Sequence, residues 1–135
     1  MELENGCFEI PGTQFMVSPG DGPRTYTNLD STTHAQKPGG AKPTQAEIDA
    51  ETNSIGYVKS ANDNALCGFT DWRLPTKGEL RLMRQQRKVL EMAGGWYWSS
   101  SQYGGNSDRV WFIVFSSGFV NYGSRSNYGH VRLVR

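Results

Sequence analysis

The chain has 135 residues, with 14 Lys and Arg against 13 Asp and Glu. That length suits one domain with a single sizeable core, and a charge this close to zero lacks the basic footprint of a phosphate-backbone binder. Neither nucleic-acid binding nor membrane insertion is therefore expected, since no apolar run approaches the length of a bilayer span. Abundant Gly and 12% aromatic residues favour a loop-rich mixed fold with few, short helices.

The N-terminal stretch Met1 to Ile10 is acidic and has neither a basic nor an apolar leader region, so no export signal is expected in this chain. Its product is then either assembled inside the cell, as into a virus particle, or led out by a segment upstream. Cys7 and Cys67 match no metal or redox spacing. One disulfide and two buried free thiols are both open readings, and the missing leader favours the thiols.

In chain order, residues 7–18 read as two short strands broken by a Pro-Gly turn, and residues 19–43 as a long loop. Thr44 and Glu47 form a capping box, in which each side chain satisfies an orphan backbone donor. One helix or two fill 44–64, with Gly56 as the flaw. A second capping box, Thr76 to Glu79, opens a helix to about Arg87, closed by Gly94-Gly95. From Trp96 the pattern turns to β: 96–100, 109–115, 118–122 and 130–135 are rich in aromatic and β-branched residues. Ser116-Ser117-Gly118 suits a hairpin turn. The 110–115 run is apolar on both faces and belongs in the middle of a covered sheet.

Between the helices lies Cys67-Gly68-Phe69-Thr70-Asp71-Trp72-Arg73-Leu74-Pro75-Thr76. Asp71 and Arg73 are expected to pair and lock a turn around a buried Trp72, and Leu74-Pro75 to fix the approach to the Thr76 cap. Asp71, Trp72, Arg73, Trp98 and Trp111 are all expected to be buried scaffold.

The D-W-R-L-P-T-x-x-E-L segment, W-Y-W-S-S-S, V-W-F-I-V-F-S-S-G and the terminal V-R-L-V-R occur in that order. Together they resemble bacterial and phage domains of the C-type lectin fold, among them collagen-like bacterial adhesins and the variable proteins of diversity-generating retroelements. The resemblance covers about residues 55–135. It implies an α+β fold in which the N- and C-terminal strands pair and two helices pack on small, mostly antiparallel sheets. The last strands and loops would display a ligand-binding surface on a virion or a cell surface.

In the retroelement proteins, adenines of Asn codons are randomised, so varied positions can become Tyr, Asp, Ser, Gly, Arg, His or Phe but never Lys, Glu, Gln, Met or Trp. Residues 103–109 and 119–130 hold only permitted types, whereas Trp96, Trp98 and Trp111 fall on strands. Tyr, Ser, Gly and Asn are also the residues of adaptable recognition surfaces. The expected contact residues are Tyr103, Asn106, Ser107, Asp108, Phe119, Asn121, Tyr122, Ser124, Arg125, Asn127, Tyr128 and His130.

The expected activity is non-enzymatic binding of a protein or glycan receptor on a target cell, with self-association into a trimer or other homo-oligomer left open. No nucleophile elbow, zinc-protease pair, phosphate loop or CxxC is present. His34 and His130 share no metal-ligand spacing. No metal or cofactor is expected: the Glu-Pro-Asn and Gln-Pro-Asp triplets of calcium-dependent lectins are absent, and Asn62-Asp63-Asn64 reads as a cap and turn. Two rival readings stand beside this one, a structural tail or assembly domain and an oxidase of the formylglycine-generating type that would use Cys67.

Overall fold

The structure is a computed structural model that describes residues 6–10, 15–20, 26–104 and 106–135, with residues 106–108 described by their backbone alone. The fold is α+β. Two short strands, β1 (Phe8–Glu9) and β2 (Met16–Val17), pair antiparallel; the Pro11-Gly12 turn expected between them lies outside the described residues. Helices α1 (Gln45–Asp49), α2 (Ser54–Asp63) and α3 (Lys77–Gln85) follow. An antiparallel sheet of β3 (Trp96–Tyr103), β4 (Asn106–Val114) and β5 (Val120–Ser124) then forms in the order β3-β4-β5.

Both capping boxes are present, with Thr44 accepting from the Glu47 amide and Thr76 from the Glu79 amide, and each Glu reaching back to its cap. The 44–64 segment divides into two helices. Gly56 is a point of close approach: a Cβ there would run into the Ala50 carbonyl and the Asp49 backbone at the end of α1. Only glycine lets the two helices meet so closely.

The expected strand over 130–135 is instead an extended tail that bridges in several places. Met16 and Arg135 exchange backbone hydrogen bonds of 3.0 Å, as do Arg73 and Val134 at 2.9 Å. Thus the chain ends are joined, and the segment around Trp72 is laid beside them. His130 bridges in parallel to Tyr97.

As its two-sided apolar run predicts, β4 is the central strand. One face buries Ile113 and Phe115 with Tyr97, Leu80 and Met83 of α3, and with Phe8, Val17 and Val134. The other buries Val110 with Trp98, Trp72, Tyr26, Val131 and Leu133. The indoles are satisfied as well as buried, Trp98 Nε1 donating to the Tyr26 carbonyl (2.7 Å) and Trp72 Nε1 to that of Leu66 (2.8 Å).

Two expectations about the 67–76 segment are corrected. Cys7 and Cys67 form a disulfide across 60 residues, so neither thiol is free. Asp71 and Arg73 do not pair with each other, and both are exposed. Asp71 binds the Arg135 guanidinium (2.5 and 3.1 Å) and Arg73 binds Glu79 (2.6 and 2.7 Å). Side chains on either side of Trp72 point away from the indole, Asp71 toward the chain's C-terminal residue and Arg73 toward the first turn of α3. The cap of α2 is Asn64, whose side chain donates to the Ser60 carbonyl (2.9 Å), while the Asn62 side chain reaches across to Trp72, accepting from its amide (2.7 Å) and donating to its carbonyl (3.0 Å). Asp63 is held by Lys59 at 2.8 Å.

Candidate functional site

The residues expected at the binding surface are supplied by β3, β4, β5 and the loop after β5. In β3 the register slips: Trp98 pairs with Phe112 but Gln102 with Val110, so Ser99 to Ser101 are partly extruded as a bulge. Hydroxyls organise it, with Ser99 Oγ donating to the Trp111 carbonyl (2.7 Å) and Ser101 Oγ accepting from the Lys77 amide (3.0 Å). Bulges bend a strand and re-aim side chains. Here the consequence is that Tyr103, on one outer strand, crosses the central strand to stack on Tyr122 of the other, with centroids 3.7 Å apart and planes 15° apart. Trp111 of β4 lies directly opposite Tyr122 in the ladder and meets both tyrosines edge-on at 5.3 and 5.6 Å.

The Lys77 ammonium sits 4.2 Å from the Trp111 ring centre, a cation–π contact. The cluster lies just beyond the first turn of α3, where the helix no longer covers the sheet. Tyr122 is 39% exposed. A hydrogen bond with Tyr122, and then the charge it would carry, holds the Tyr103 phenol above its usual value.

Two other exposed aromatics were expected and stand apart from this cluster. Phe119 follows the turn between β4 and β5, at the opposite end of the hairpin. Tyr128 is 64% exposed and walls a hollow of about 210 Å³ with Thr27, Leu29, Glu47, Ala50 and Thr52. Of the polar residues, Ser124 is half-buried on the Tyr122 face, with Arg109 opposite it. Asn121 points to the other face, its carbonyl oxygen accepting from the Tyr122 amide (2.8 Å). Asn127 is exposed in the following turn. Asn106, Ser107 and Asp108 begin β4 beside Tyr103; their side chains lie outside the described residues.

Two expected exposures are corrected. Arg125 is only 5% exposed. Its guanidinium donates to the carbonyl (3.0 Å) and side chain (2.8 Å) of Asn28 and pairs with Asp30 (3.1 Å), clamping the 26–30 segment to the end of β5. His130 is half-buried, stacked on buried Tyr97 at 5.1 Å, while its backbone bonds to Trp96 and Trp98. Both belong to the framework because the tail must dock there to complete the core.

Trp111 and Lys77 were missed. Trp111 was expected in the core, yet it is half-buried and forms the floor of the exposed cluster. A signal existed in its alternation with exposed Arg109, since residues i and i+2 of a strand share a face. Lys77 carried no signal, because its contact depends on how α3 docks.

Among the described residues no group of three or more His, Cys, Asp or Glu converges as metal ligands would. Nor is any helix there long and apolar enough to cross a membrane. Fold and surface together define a disulfide-stapled α+β domain that presents stacked aromatic rings at one end of its sheet. Residues 24–135 match the family described as the Lcl C-terminal domain, and the chain belongs to that family. Comparison with curated proteins finds no match.

Proposed function

We propose that this chain is a non-enzymatic ligand-binding domain of C-type lectin-like fold from a phage, virus or microbial surface, with positions 103–109 and 119–130 open to diversification. The observation that carries the reading is the cluster of Tyr103, Trp111 and Tyr122. Three aromatic rings are held against one another by three strands and left in contact with solvent, where a preorganised recognition surface needs them. Membership of the Lcl C-terminal domain family supports it. The Cys7–Cys67 bond suits a product that works in an oxidising, extracellular setting, and it engages the thiol on which the oxidase alternative depends.

The receptor is a protein or glycan on a target cell. Capturing it on the immobilised chain from a target-envelope extract, followed by alanine scanning, tests the site. Tyr122→Ala and Tyr103→Ala should each weaken binding by about thirtyfold, roughly 2 kcal/mol, while Ser124→Ala is nearly silent. Sensitive positions confined to residues 26–43 would move the functional face to the N-terminal half. Diversification has its own test: DNA near the coding region should hold a reverse transcriptase and a near-identical template of residues 96–135.

A further inference from the structure

The six tyrosines of the chain differ in what an oxidant arriving from solvent would meet. Tyr26 and Tyr97 are wholly buried. Tyr57 is half-buried and tilts against Tyr26, with planes 43° apart. Tyr128 is the most exposed of them and stands apart from the Tyr103–Tyr122 cluster. Tyr103 and Tyr122 alone combine a stacked tyrosine partner with access to solvent.

Their ring centroids are 3.7 Å apart, their planes 15° apart, and their hydroxyls hydrogen-bond to each other. Rings stacked face to face with both hydroxyls at one end lie nearly in register. Each carbon flanking one hydroxyl therefore faces its counterpart on the other ring. Those carbons carry much of the unpaired spin when a phenol loses a hydrogen atom, so they are where two phenoxyl radicals join. Trp111 restrains the pair, meeting both rings edge-on and lying opposite Tyr122 in the ladder. The reacting atoms are thus held together before any reaction, which makes their encounter an intramolecular one.

We propose that Tyr103 and Tyr122 form a site of oxidative modification, at which a peroxide-driven one-electron oxidant couples the two rings into an intramolecular dityrosine. Each phenol gives up one electron and one proton. A carbon–carbon bond then forms between two facing carbons ortho to the hydroxyls, and the hydrogens displaced from those carbons restore the two phenols. In balance the chain loses two hydrogen atoms while one hydrogen peroxide is reduced to two waters. Both cysteines are already joined in the Cys7–Cys67 bond, so no thiol of the chain competes as a reductant. The link ties β3 to β5 across β4 and fixes the aromatic surface covalently. It needs no bound partner, and so stands or falls separately from the binding reading.

The test is treatment of the full chain, without partner, with a haem peroxidase and hydrogen peroxide. Dityrosine fluorescence should appear while the chain keeps its single-chain size on a denaturing gel, and the yield per chain should survive about tenfold dilution. Mass spectrometry should show the loss of two hydrogens. Tryptic cleavage at Arg109, between the two tyrosines, should then leave the peptide of Tyr103 joined to that of Tyr122. Tyr103→Phe and Tyr122→Phe keep both rings but remove one phenol, and each should cut the yield at least about tenfold. Tyr128→Phe should leave it unaltered. The linked chain should melt at a higher temperature than the untreated one, because a cross-link restricts the unfolded state. Dityrosine formed chiefly between chains, or abolished by Tyr128→Phe and not by Tyr122→Phe, overturns the proposal. So does oxidation that adds oxygen to Trp111 and leaves the two tyrosine peptides separate. Should a Phe variant fail to fold, the peptide map of the unaltered chain decides alone: joined peptides support the site and separate ones refute it.

Discussion

Single polar side chains hold much of this molecule in shape, and Asn53 is the clearest case. Its carbonyl oxygen accepts from the Leu29 amide (2.7 Å) and the Thr27 hydroxyl (2.8 Å), and its amide donates to the Leu29 (2.7 Å) and Ile48 (2.8 Å) carbonyls. Gln36 does similar work for Asp30 and Ser31. A buried amide with every valence used is costly to remove, since each partner left unpaired forfeits its hydrogen bond after desolvation. Asn53→Ala should therefore lower stability by about 3 kcal/mol in urea unfolding, and a loss under about 1 would show the loop holds without it. Glu79 makes a pH-dependent contribution. The Arg73 guanidinium first, helped by the Thr76 amide, holds its carboxyl below the ordinary value despite partial burial. A carboxyl lowered on folding stabilises the native state above its unfolded value of about 4.3, and that stabilisation is lost as pH falls through the folded value. Because Arg73 is half exposed, the pair is screened; Glu79→Gln should cost about 1 kcal/mol at neutral pH, shrinking toward zero in acid as the carboxyl is protonated in the folded chain. Thermal unfolding at both pH values reads the difference, and a constant gap would assign the effect to something other than ionisation.

At the scale of elements, what was legible in the sequence was local. Capping boxes, the Ser-Ser-Gly turn and the two-sided apolar strand each depend on neighbours within a few residues, and each appears where its pattern placed it. The departures mostly involve distant partners. Asp71 finds Arg135, 64 residues on, because the tail docks beside it, and Arg73 turns to Glu79, which the Thr76 capping box holds at the start of α3. The 19–43 stretch has only Tyr26 and Leu29 as sizeable apolar residues and so reads as a long loop, yet over residues 26–43 Asn53, Gln36 and Arg125 hold it through hydrogen bonds that periodicity cannot register. The disulfide is likewise a long-range pairing, joining the residue before β1 to the turn after α2. Closing a loop across 60 residues restricts the unfolded chain by about 4 kcal/mol in the chain-entropy description. Cys7→Ser with Cys67→Ser, or reductant on the native chain, should lower unfolding stability by an amount approaching that. A change below about 1 kcal/mol would mean that the packing of β1 and β2 against the tail suffices alone.

Across the whole molecule, framework and surface are divided differently from what residue type alone suggests. Of the last-third residues expected on one exposed face, Tyr103 and Tyr122 converge, whereas Phe119, Asn127 and Tyr128 are exposed elsewhere. Arg125 and His130 have the same recognition-type chemistry but are drawn inward because the chain end must close over the core. Trp111, expected in the buried scaffold, is the floor of the exposed cluster. Composition reports what a residue can do, and docking of the tail and of α3 decides which residues face solvent. A paired substitution separates the two roles. Arg125→Ala removes a buried cation from Asn28 and Asp30, leaving their polar groups to be resolvated, and should cost about 3 kcal/mol of stability. Any loss of binding it causes should track unfolding, and vanish when affinity is measured well below the melting temperature. Tyr122→Ala removes a ring whose neighbours are themselves at the surface, so it should cost no more than about 1 kcal/mol of stability while weakening partner binding by about 2. Melting temperature and affinity measured on both variants decide the matter. If Tyr122→Ala unfolds the chain while Arg125→Ala only weakens binding, the aromatic cluster is framework and the Arg125 clamp lies at the functional face.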